Sequence, residues 1–268
     1  MKKKKPVLSI ITVVKNGEQY LSQTIKSVID QKFEGLEYII IDGGSTDKSI
    51  EIIKKYEDKI DKWISEPDSG IYDAMNKGLA LSSGEWVWYI NSDDYLEGGA
   101  VKFIFNNNSA LIMDAGIIYG NLRRIGDGYN YSVKQRNLKD LNKIITFSHP
   151  STLIRRGLLE DAGGFDLRYK LVSDYDLIYR IAKMGPEVVY INKTFANMRH
   201  GGASERLSNS FKRIRERFII DRKNISLGKA CKIYVLFLLP GLFKKILKYA
   251  LEKLGMKRLI SLYFKKKY

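Results

Sequence analysis

The sequence predicts an α/β protein with a mixed, mainly parallel central sheet flanked by helices. Apolar strand-like runs alternate with helical patterns from residue 7 to residue 94, and turn residues follow most of these runs. Such alternation is typical of a parallel sheet with helices on both faces. Acidic residues stand where several of the runs end. Because ligands of these sheets bind beyond the carboxyl ends of the strands, the acidic residues mark a candidate site.

The first half of the chain has the clearest pattern. β-Branched and aromatic runs predict strands over 7–14, 36–42, 63–65 and 85–90. Apolar residues at helical spacing predict helices over 18–30, through 50–56 and over 71–82.

The second half is less regular. Short apolar runs predict strands over 117–119, 129–133, 151–154 and 188–191. A helical pattern covers 174–184, and we expect Ser173 to be its N-cap, because serine is a favoured capping residue.

Size and composition restrict the kinds of protein. The 268 residues suffice for one large domain with an appendage. The single cysteine, Cys231, excludes a disulfide framework and a cysteine zinc site, and it indicates a reducing compartment. The two histidines, His149 and His200, exclude a multi-histidine metal site. The first apolar run, Val7 to Val14, is too short for a secretory signal.

The net charge of +16 is concentrated at the C-terminus. Residues 206–268 contain 18 Lys and Arg against 3 Asp and Glu, so the preceding 205 residues are almost neutral. We therefore expect two parts, a domain over 1–205 and a basic helical tail over 206–268. A tail of this charge indicates an anionic partner, either a membrane surface or nucleic acid.

The tail has the pattern of a basic amphipathic helix. Pro240-Gly241 interrupts the apolar run of 233–239, which is far shorter than the roughly 20 residues of a membrane-spanning helix. Over 243–254 the apolar residues share one face and lysines the other, as in helices that lie at a membrane interface. We expect residues 229–268 to bind an anionic membrane surface. A helix packed on the parent domain is the alternative.

Asn91-Ser92-Asp93-Asp94 follows the fourth predicted strand and is the most informative segment. Two carboxylates at the end of a buried strand are costly unless a positive charge lies beside them. A divalent cation that holds a diphosphate would supply this charge, because such cations prefer oxygen ligands shared with phosphates. A loop whose aspartates cap the next helix is the alternative.

The chain resembles the family 2 glycosyltransferases, inverting enzymes of the GT-A fold that use nucleotide-sugar donors. The resemblance covers about residues 6–205, and bacterial polysaccharide members are the most similar. Its motifs are Leu8 to Gly17, Ile40 to Asp47, Glu66 to Gly78, Asn91 to Asp94 and Ser173 to Leu177.

The resemblance implies roles for particular residues. Asp94 matches the carboxylate that binds a divalent metal, Mn²⁺ or Mg²⁺. His200 is a further candidate ligand, and it is equally explained as a surface histidine. Asp42 matches the residue that binds the donor's base, although an aspartate before Gly-Gly also forms turns. The candidate donor-binding residues are Thr12, Val14, Asp42, Asp68, Lys77, Asp93 and His149. Val14 is equally explained as strand core, Lys77 as a solvated lysine, and His149 as a histidine that satisfies a backbone group.

Asp174 matches the family's catalytic base. A carboxylate on the face of the sugar opposite the leaving group can accept the acceptor's hydroxyl proton, which gives inversion. Many members have Glu at the preceding position, where this chain has Ser173. The alternative is that Asp174 only stabilises the helix dipole.

The sequence therefore predicts a metal-dependent inverting glycosyltransferase. Its donor is expected to be a nucleotide sugar, with UDP favoured by family habit, and its acceptor a lipid-linked glycan in surface polysaccharide biosynthesis. We expect a cytoplasmic protein, peripheral on the inner face of the cell membrane. Homo-oligomerisation stays open. The alternatives are a nucleotidyltransferase, for which a Gly- and basic-rich loop is absent after the first strand, and a nucleic-acid-binding protein that uses the tail.

Overall fold

The computed structural model describes residues 5–126, 129–134, 148–200 and 207–253. The chain divides into two compact units, residues 1–200 and residues 201–268. The strands of the first unit are β1 (Leu8–Val14), β2 (Leu36–Asp42), β3 (Lys62–Ser65), β4 (Trp86–Tyr89), β5 (Tyr95–Leu96), β6 (Ala115–Gly126), β7 (Tyr129–Val133), β8 (Thr152–Arg155) and β9 (Glu187–Arg199). Its α-helices are α1 (Leu21–Ile29), α2 (Ser49–Lys55), α3 (Ile71–Leu81), α4 (Ala100–Asn107), α5 (Ser109–Ile112), α6 (Arg156–Asp161) and α7 (Ser173–Lys183).

The nine strands form one sheet in the order β3-β2-β1-β4-β8-β6-β9-β5, with β7 paired to β6. Strands β3, β2, β1 and β4 are parallel, β8 is antiparallel to both its neighbours, and β6 and β9 are parallel. This is the mixed α/β fold that the sequence predicts. The chain runs outward from β1 to β3 and then places β4 on the other side of β1. The strand order therefore reverses between β1 and β4, where such sheets bind their ligands.

Strand β1 is buried along its whole length because both of its faces are covered. On one face Leu8 and Ile10 belong to a core cluster that includes Leu21 and Ile25 of α1. On the other face α3 approaches closely at Gly78, where a Cβ atom would lie 2.4 Å from Cγ2 of Ile11. A strand buried on both sides requires the continuous apolar run seen in the sequence.

Three elements of the second half differ from the sequence prediction. Strands β6 and β9 are 12 and 13 residues long, because they pair with each other in parallel beyond their apolar segments. Their outer halves contain charged residues that conceal the strand pattern. Ser173 is the first residue of α7, and Val172 is the N-cap. The Ser173 hydroxyl donates to the Asp166 carbonyl at 2.9 Å, so the predicted capping role is wrong.

The second unit is helical in its described part. Its helices are α8 (Ser210–Asn224), α9 (Leu227–Ile233) and α10 (Leu239–Lys253), with a π-helical turn over Tyr234–Leu238. Pro240 and Gly241, which the sequence analysis treats as an interruption, lie in the first turn of α10, where proline is tolerated. In the described part of the whole chain, no helix combines the length and apolarity needed to cross a membrane. The exposed large apolar residues of this unit are Phe211, Ile219, Leu227, Val235, Leu236, Leu239, Phe243 and Ile246.

Candidate active site

The loops that follow β1, β2 and β4 are joined at the carboxyl edge of the sheet. Asn16 has a left-handed backbone (φ 54°), its N–H donates to Ser45 Oγ, and its Oδ1 accepts from the Thr46 N–H at 2.8 Å. Gly17, in the loop after β1, lies against the loop after β4, since a Cβ atom on Gly17 would be 3.0 Å from Ser92 Oγ. These contacts place the Asn91–Asp94 segment beside the loop after β1.

Asp42, at the end of β2, is fully buried and its carboxylate has a complete set of partners. It accepts hydrogen bonds from the N–H groups of Gly44 and Ser45 and from the hydroxyls of Ser45 and Ser65, over 2.5–3.1 Å. The carboxylate of Asp68 lies directly beside the same turn, because a Cβ atom at Gly43 would be 1.9 Å from Asp68 Oδ2. The structure thus brings together two of the residues predicted to bind the donor.

Lys77, on α3, connects that helix to the loop after β3. Its Nζ lies 2.8 Å from the Glu66 carboxylate and donates to the Pro67 carbonyl at 2.9 Å. The hydrogen bond to Glu66 raises the pKa of Lys77. The ammonium group therefore stays charged and lies on the loop that contains Asp68.

Thr12 and Val14 lie side by side on one face of β1. Thr12 is fully buried, and its hydroxyl is 3.1 Å from the Tyr38 hydroxyl. Val14 is 4% exposed and belongs to the core cluster. The Val14 carbonyl accepts from the Gly43 N–H at 2.8 Å, which ties β1 to the turn after β2.

Asp94 is a buried carboxyl group with little compensation. It is 1% exposed, and its Oδ1 accepts one hydrogen bond from the Arg199 N–H at 3.1 Å. Burial raises the pKa of Asp94 well above its usual value, and the neighbouring charge of Asp93 raises it further. The Arg199 hydrogen bond and the charges of Arg199 and Arg124 offset part of this rise.

Arg199, the last residue of β9, holds the Asp93–Asp94 segment, a role that no sequence motif predicts. Its guanidinium lies 4.1 Å from the ring centroid of Tyr20 and 5.1 Å from that of Tyr95, and it donates to the Asp93 carbonyl. No local signal points to these contacts, because Arg199 and Asp94 are 105 positions apart.

His200 directly follows Arg199, so the structure brings both predicted metal ligands to the same edge. The backbone N–H of His200 donates to the Ile125 carbonyl at 3.0 Å, and the centroid of its ring lies 6.4 Å from that of the Tyr131 ring. Among the described residues, no three His, Cys, Asp or Glu side chains converge in a group able to hold a metal ion.

Asp174 lies in the first turn of α7 above a layer of aromatic rings. Tyr72 of α3 donates its hydroxyl proton to Asp174 Oδ1 at 2.9 Å, and the Tyr72 ring stacks on Phe165 at 5.4 Å. His149 stacks on Tyr89 at 5.1 Å and meets Phe165 edge-on.

The imidazole of His149 belongs to the same layer as a neutral group. Burial lowers the pKa of His149, and the charge of Asp174 counteracts this only in part. Its Nε2 is buried and has no hydrogen-bond partner among the described residues. A buried nitrogen of this kind suits a ligand hydroxyl.

Asp174 and Asp176 lie on one helical turn but have different partners. Asp176 is 1% exposed, and it accepts from Arg180 Nε at 2.7 Å. The same guanidinium donates to the carbonyls of Ala162 and Gly164, so Asp176 and Arg180 fix the turn before α7. Asp176 therefore has a structural pairing, whereas Asp174 faces the aromatic layer.

The fold, a mixed sheet whose strand order reverses between β1 and β4, is the GT-A fold of glycosyltransferases. The chain belongs to glycosyl transferase family 2, whose family model matches residues 9–163. An uncharacterized glycosyltransferase of Mycobacterium tuberculosis is 32% identical over 183 residues, covering 66% of this chain and 69% of that protein. A PGL/p-HBAD biosynthesis glycosyltransferase of Mycobacterium bovis is 26% identical over 185 residues, covering 65% and 69%.

Two solved structures share the fold. Staphylococcus aureus TarS 1-349, in complex with UDP-GlcNAc, aligns with a TM-score of 0.66 and 20% identity over 86% of this chain and 71% of that chain. The mannosyltransferase PcManGT of Pyrobaculum calidifontis, in complex with GDP-Man and Mn²⁺, aligns with a TM-score of 0.65 and 16% identity over 97% and 81%. The family membership decides for a glycosyltransferase and against the nucleotidyltransferase alternative.

Proposed function

We propose that this chain is an inverting glycosyltransferase that moves a hexosyl or N-acetylhexosaminyl group from a UDP-sugar to a hydroxyl group of a glycan in surface polysaccharide biosynthesis. The observation that carries the proposal is the undercompensated carboxyl of Asp94, beside the point where the strand order reverses. The UDP-GlcNAc complex of TarS supports a uridine nucleotide, and the GDP-Man complex of PcManGT represents the competing base.

The residues at this edge fit a divalent cation. Asp93 and Asp94 are adjacent carboxyl groups whose mutual repulsion a cation would relieve. Mg²⁺ is usually held by one or two carboxylates together with substrate phosphates, so the two aspartates suffice without a third protein ligand. His200 is the proposed additional ligand. When bound, the cation neutralises charge that develops on the leaving diphosphate.

The proposed donor site extends from Asp94 to the turn of Asp42. In this proposal Asp68 and the backbone of Thr12 and Val14 contact the nucleoside, and Asp93 faces the ribose. Asp42 has all of its acceptor positions occupied, so a bond to the uracil N–H requires one of its present donors to give way. Lys77 is already charged and needs only to exchange Glu66 for the diphosphate.

Asp174 is the proposed general base. As the acceptor oxygen bonds to the anomeric carbon, its hydroxyl proton moves to the Asp174 carboxylate and the bond from that carbon to the diphosphate oxygen breaks. Asp174 is separate from the Asp93–Asp94 pair in the chain, so the acid–base role and the metal role fall to different carboxylates. His149 is the proposed partner of a sugar hydroxyl, and the support is its neutral imidazole, whose buried Nε2 has no hydrogen-bond partner among the described residues.

Thermal-shift and turnover measurements test this proposal. The purified chain is screened with UDP-GlcNAc, UDP-glucose, UDP-galactose and GDP-mannose, each with MnCl₂ and with EDTA. We expect a uridine nucleotide sugar to raise the melting temperature only with Mn²⁺, since a ligand that binds the folded state stabilises it. The Asp94→Asn protein is the control that should lose this response. Equal stabilisation in EDTA would contradict the metal role, and a retained anomeric configuration in the product would contradict inversion.

We propose further that the second unit docks on an anionic membrane surface, where a lipid-linked acceptor is available at the cytoplasmic face. Leu239, Phe243 and Ile246 of α10 are 38%, 67% and 41% exposed and follow each other at helical spacing. Residues 206–268 contain 18 basic residues against 3 acidic ones. An apolar face on a strongly basic helical segment is the combination that binds membrane interfaces.

Vesicle sedimentation at several salt concentrations tests the docking. The full chain should bind phosphatidylglycerol-containing vesicles, and the double variant Leu239→Ser, Phe243→Ser should bind at least about tenfold more weakly, because it loses two exposed apolar side chains. Leu111→Ser, which removes a 55% exposed leucine from the first unit, is the matched control and should bind normally. Equal binding by all three proteins, or tighter binding to duplex DNA than to vesicles, would refute membrane docking.

A further inference from the structure

We infer that Tyr72 is a positioning residue for the catalytic base, and that its hydroxyl orients Asp174 and stabilises the charged carboxylate. This inference rests on the proposed function, in which Asp174 accepts the acceptor's proton. It is carried by the hydrogen bond from the Tyr72 hydroxyl to Asp174 Oδ1 at 2.9 Å, which joins α3 to α7 across 102 positions of the chain.

The direction of this hydrogen bond is fixed by its surroundings. An ionised carboxylate has no proton of its own to donate and only accepts hydrogen bonds. Burial, followed by the charge of Asp174, raises the pKa of Tyr72 well above its usual value, so the phenol keeps its proton. The Tyr72 hydroxyl therefore donates its proton to the carboxylate, across 2.9 Å.

The Tyr72 side chain is held firmly enough to position a partner. It is 8% exposed, and its ring stacks on Phe165, which Asn76 holds at both backbone groups. A tyrosine so enclosed has one rotamer available, so its hydroxyl is a fixed point.

The two carboxylate oxygens of Asp174 differ in their hydrogen bonding. Oδ1 is engaged by Tyr72, whereas no described residue donates to Oδ2. The second oxygen is therefore the one left to accept the acceptor's proton. A carboxylate that receives a hydrogen bond is stabilised in its charged form, which is the form a general base requires.

Among the residues that the structure describes, two titratable side chains interact with Asp174. Tyr72 faces it from α3, and His149 faces it from the one-turn helix His149–Ser151. Because burial lowers the pKa of His149, this imidazole is neutral at pH 7. Between these two neighbours, only Tyr72 donates a hydrogen bond to the carboxylate.

The first test needs no substrate. Carboxyl carbons of ¹³C-labelled aspartate are followed by NMR from pH 2.5 to pH 8 in the parent chain and in Tyr72→Phe, and Asp174→Asn assigns the signal. We expect the chemical shift of the ionised Asp174 carboxyl carbon to change in Tyr72→Phe, because the carboxylate loses its hydrogen-bond donor. Tyr190→Phe, which removes a hydroxyl bonded to Asn121 Oδ1 at 2.7 Å, is the matched control and should leave the signal unchanged. An unchanged signal in Tyr72→Phe would overturn the inference.

The second test uses the donor that the thermal-shift screen identifies, with release of the nucleoside diphosphate as the readout. In Tyr72→Phe we expect kcat to fall about tenfold, with the KM for the donor unchanged and the acidic limb of the pH–kcat profile moved to higher pH. A purely structural role would lower kcat without moving that limb. Undiminished turnover in Asp174→Asn would refute the base itself, whereas an inactive Asp174→Asn with an unmoved limb in Tyr72→Phe would refute only this inference.

Discussion

The two edges of the parallel sheet treat a buried carboxyl group in opposite ways. At the amino edge, Glu37 of β2 accepts hydrogen bonds from Ser9, Lys62 and Ser83. Burial alone would raise the pKa of Glu37, but these donors outweigh it and lower the pKa to about 2. The carboxylate is 4% exposed and fixes the starts of β1, β2 and β3 to the residues before β4.

At the carboxyl edge, Asp94 is also buried, but among the described residues it has one donor, the backbone N–H of Arg199. Its pKa is raised by burial and by Asp93 instead of lowered. Glu37 is thus stabilised in its charged form by the fold, whereas in the proposed function a cation supplies the compensation that the fold does not give Asp94. A position at the carboxyl edge does not by itself leave a carboxylate undercompensated, since Asp42 lies at this edge and accepts four hydrogen bonds.

The largest expected effect is the loss of activity on replacing Asp94. Asp94→Asn should lower turnover about 1000-fold, because the amide cannot supply the charge that holds a cation near the diphosphate. The free energy of unfolding should not fall, since the amide oxygen still accepts from Arg199 and no charge is buried. Turnover and urea unfolding check both points, with exposed Asp114→Asn as the control. If Asp94→Asn instead had a clearly lower free energy of unfolding, Asp94 would have a structural role like that of Glu37.

Glu37→Gln should have the reverse result. The variant should lose about 2 kcal/mol of unfolding free energy, a figure discounted because Lys62 is partly exposed to solvent, and should keep its kcat. Urea unfolding at pH 7 and donor turnover measure the two quantities. A drop in kcat with unchanged stability would show that the amino edge contributes to catalysis.

The pH dependence of stability should have opposite signs at the two carboxyl groups. The pKa of Glu37 is depressed, so its contribution is present above about pH 4.5 and is lost as the pH falls toward 2. The pKa of Asp94 is raised, so stability is lost as the pH rises from 3.8 through its folded value.

Urea unfolding between pH 3 and pH 8 resolves these two effects. Relative to the parent chain, Asp94→Asn should gain stability only toward the alkaline end, whereas Glu37→Gln should lose stability there, by an amount that decreases toward pH 3. A difference between Asp94→Asn and the parent that is constant with pH would be inconsistent with the raised pKa.

The smallest expected effect is that of replacing Arg199 on the Mn²⁺ requirement. Arg199→Lys should keep the backbone bond to Asp94 but lose the planar stacking between Tyr20 and Tyr95. We expect the Mn²⁺ concentration for half-maximal activity to rise about tenfold, with the saturated kcat nearly unchanged, because residues that orient metal ligands typically contribute about 10–100-fold to metal affinity. A normal Mn²⁺ requirement would show that the backbone contact alone orients Asp94.

The sequence by itself determined the first half of the sheet. Strands β1 to β4 alternate with α1 to α3, so their order follows from local periodicity and short connections, and the acidic loops fall at one edge because parallel strands end together. Only the tertiary structure decided which carboxylates are satisfied. The donors to Asp94 and Asp174 come from residues 105 and 102 positions away, placed by the pairing of β5 with β9 and by the packing of α7 near α3. The periodicity of apolar residues reflects local structure along the chain, whereas hydrogen bonds between residues about 100 positions apart depend on how the strands and helices pack.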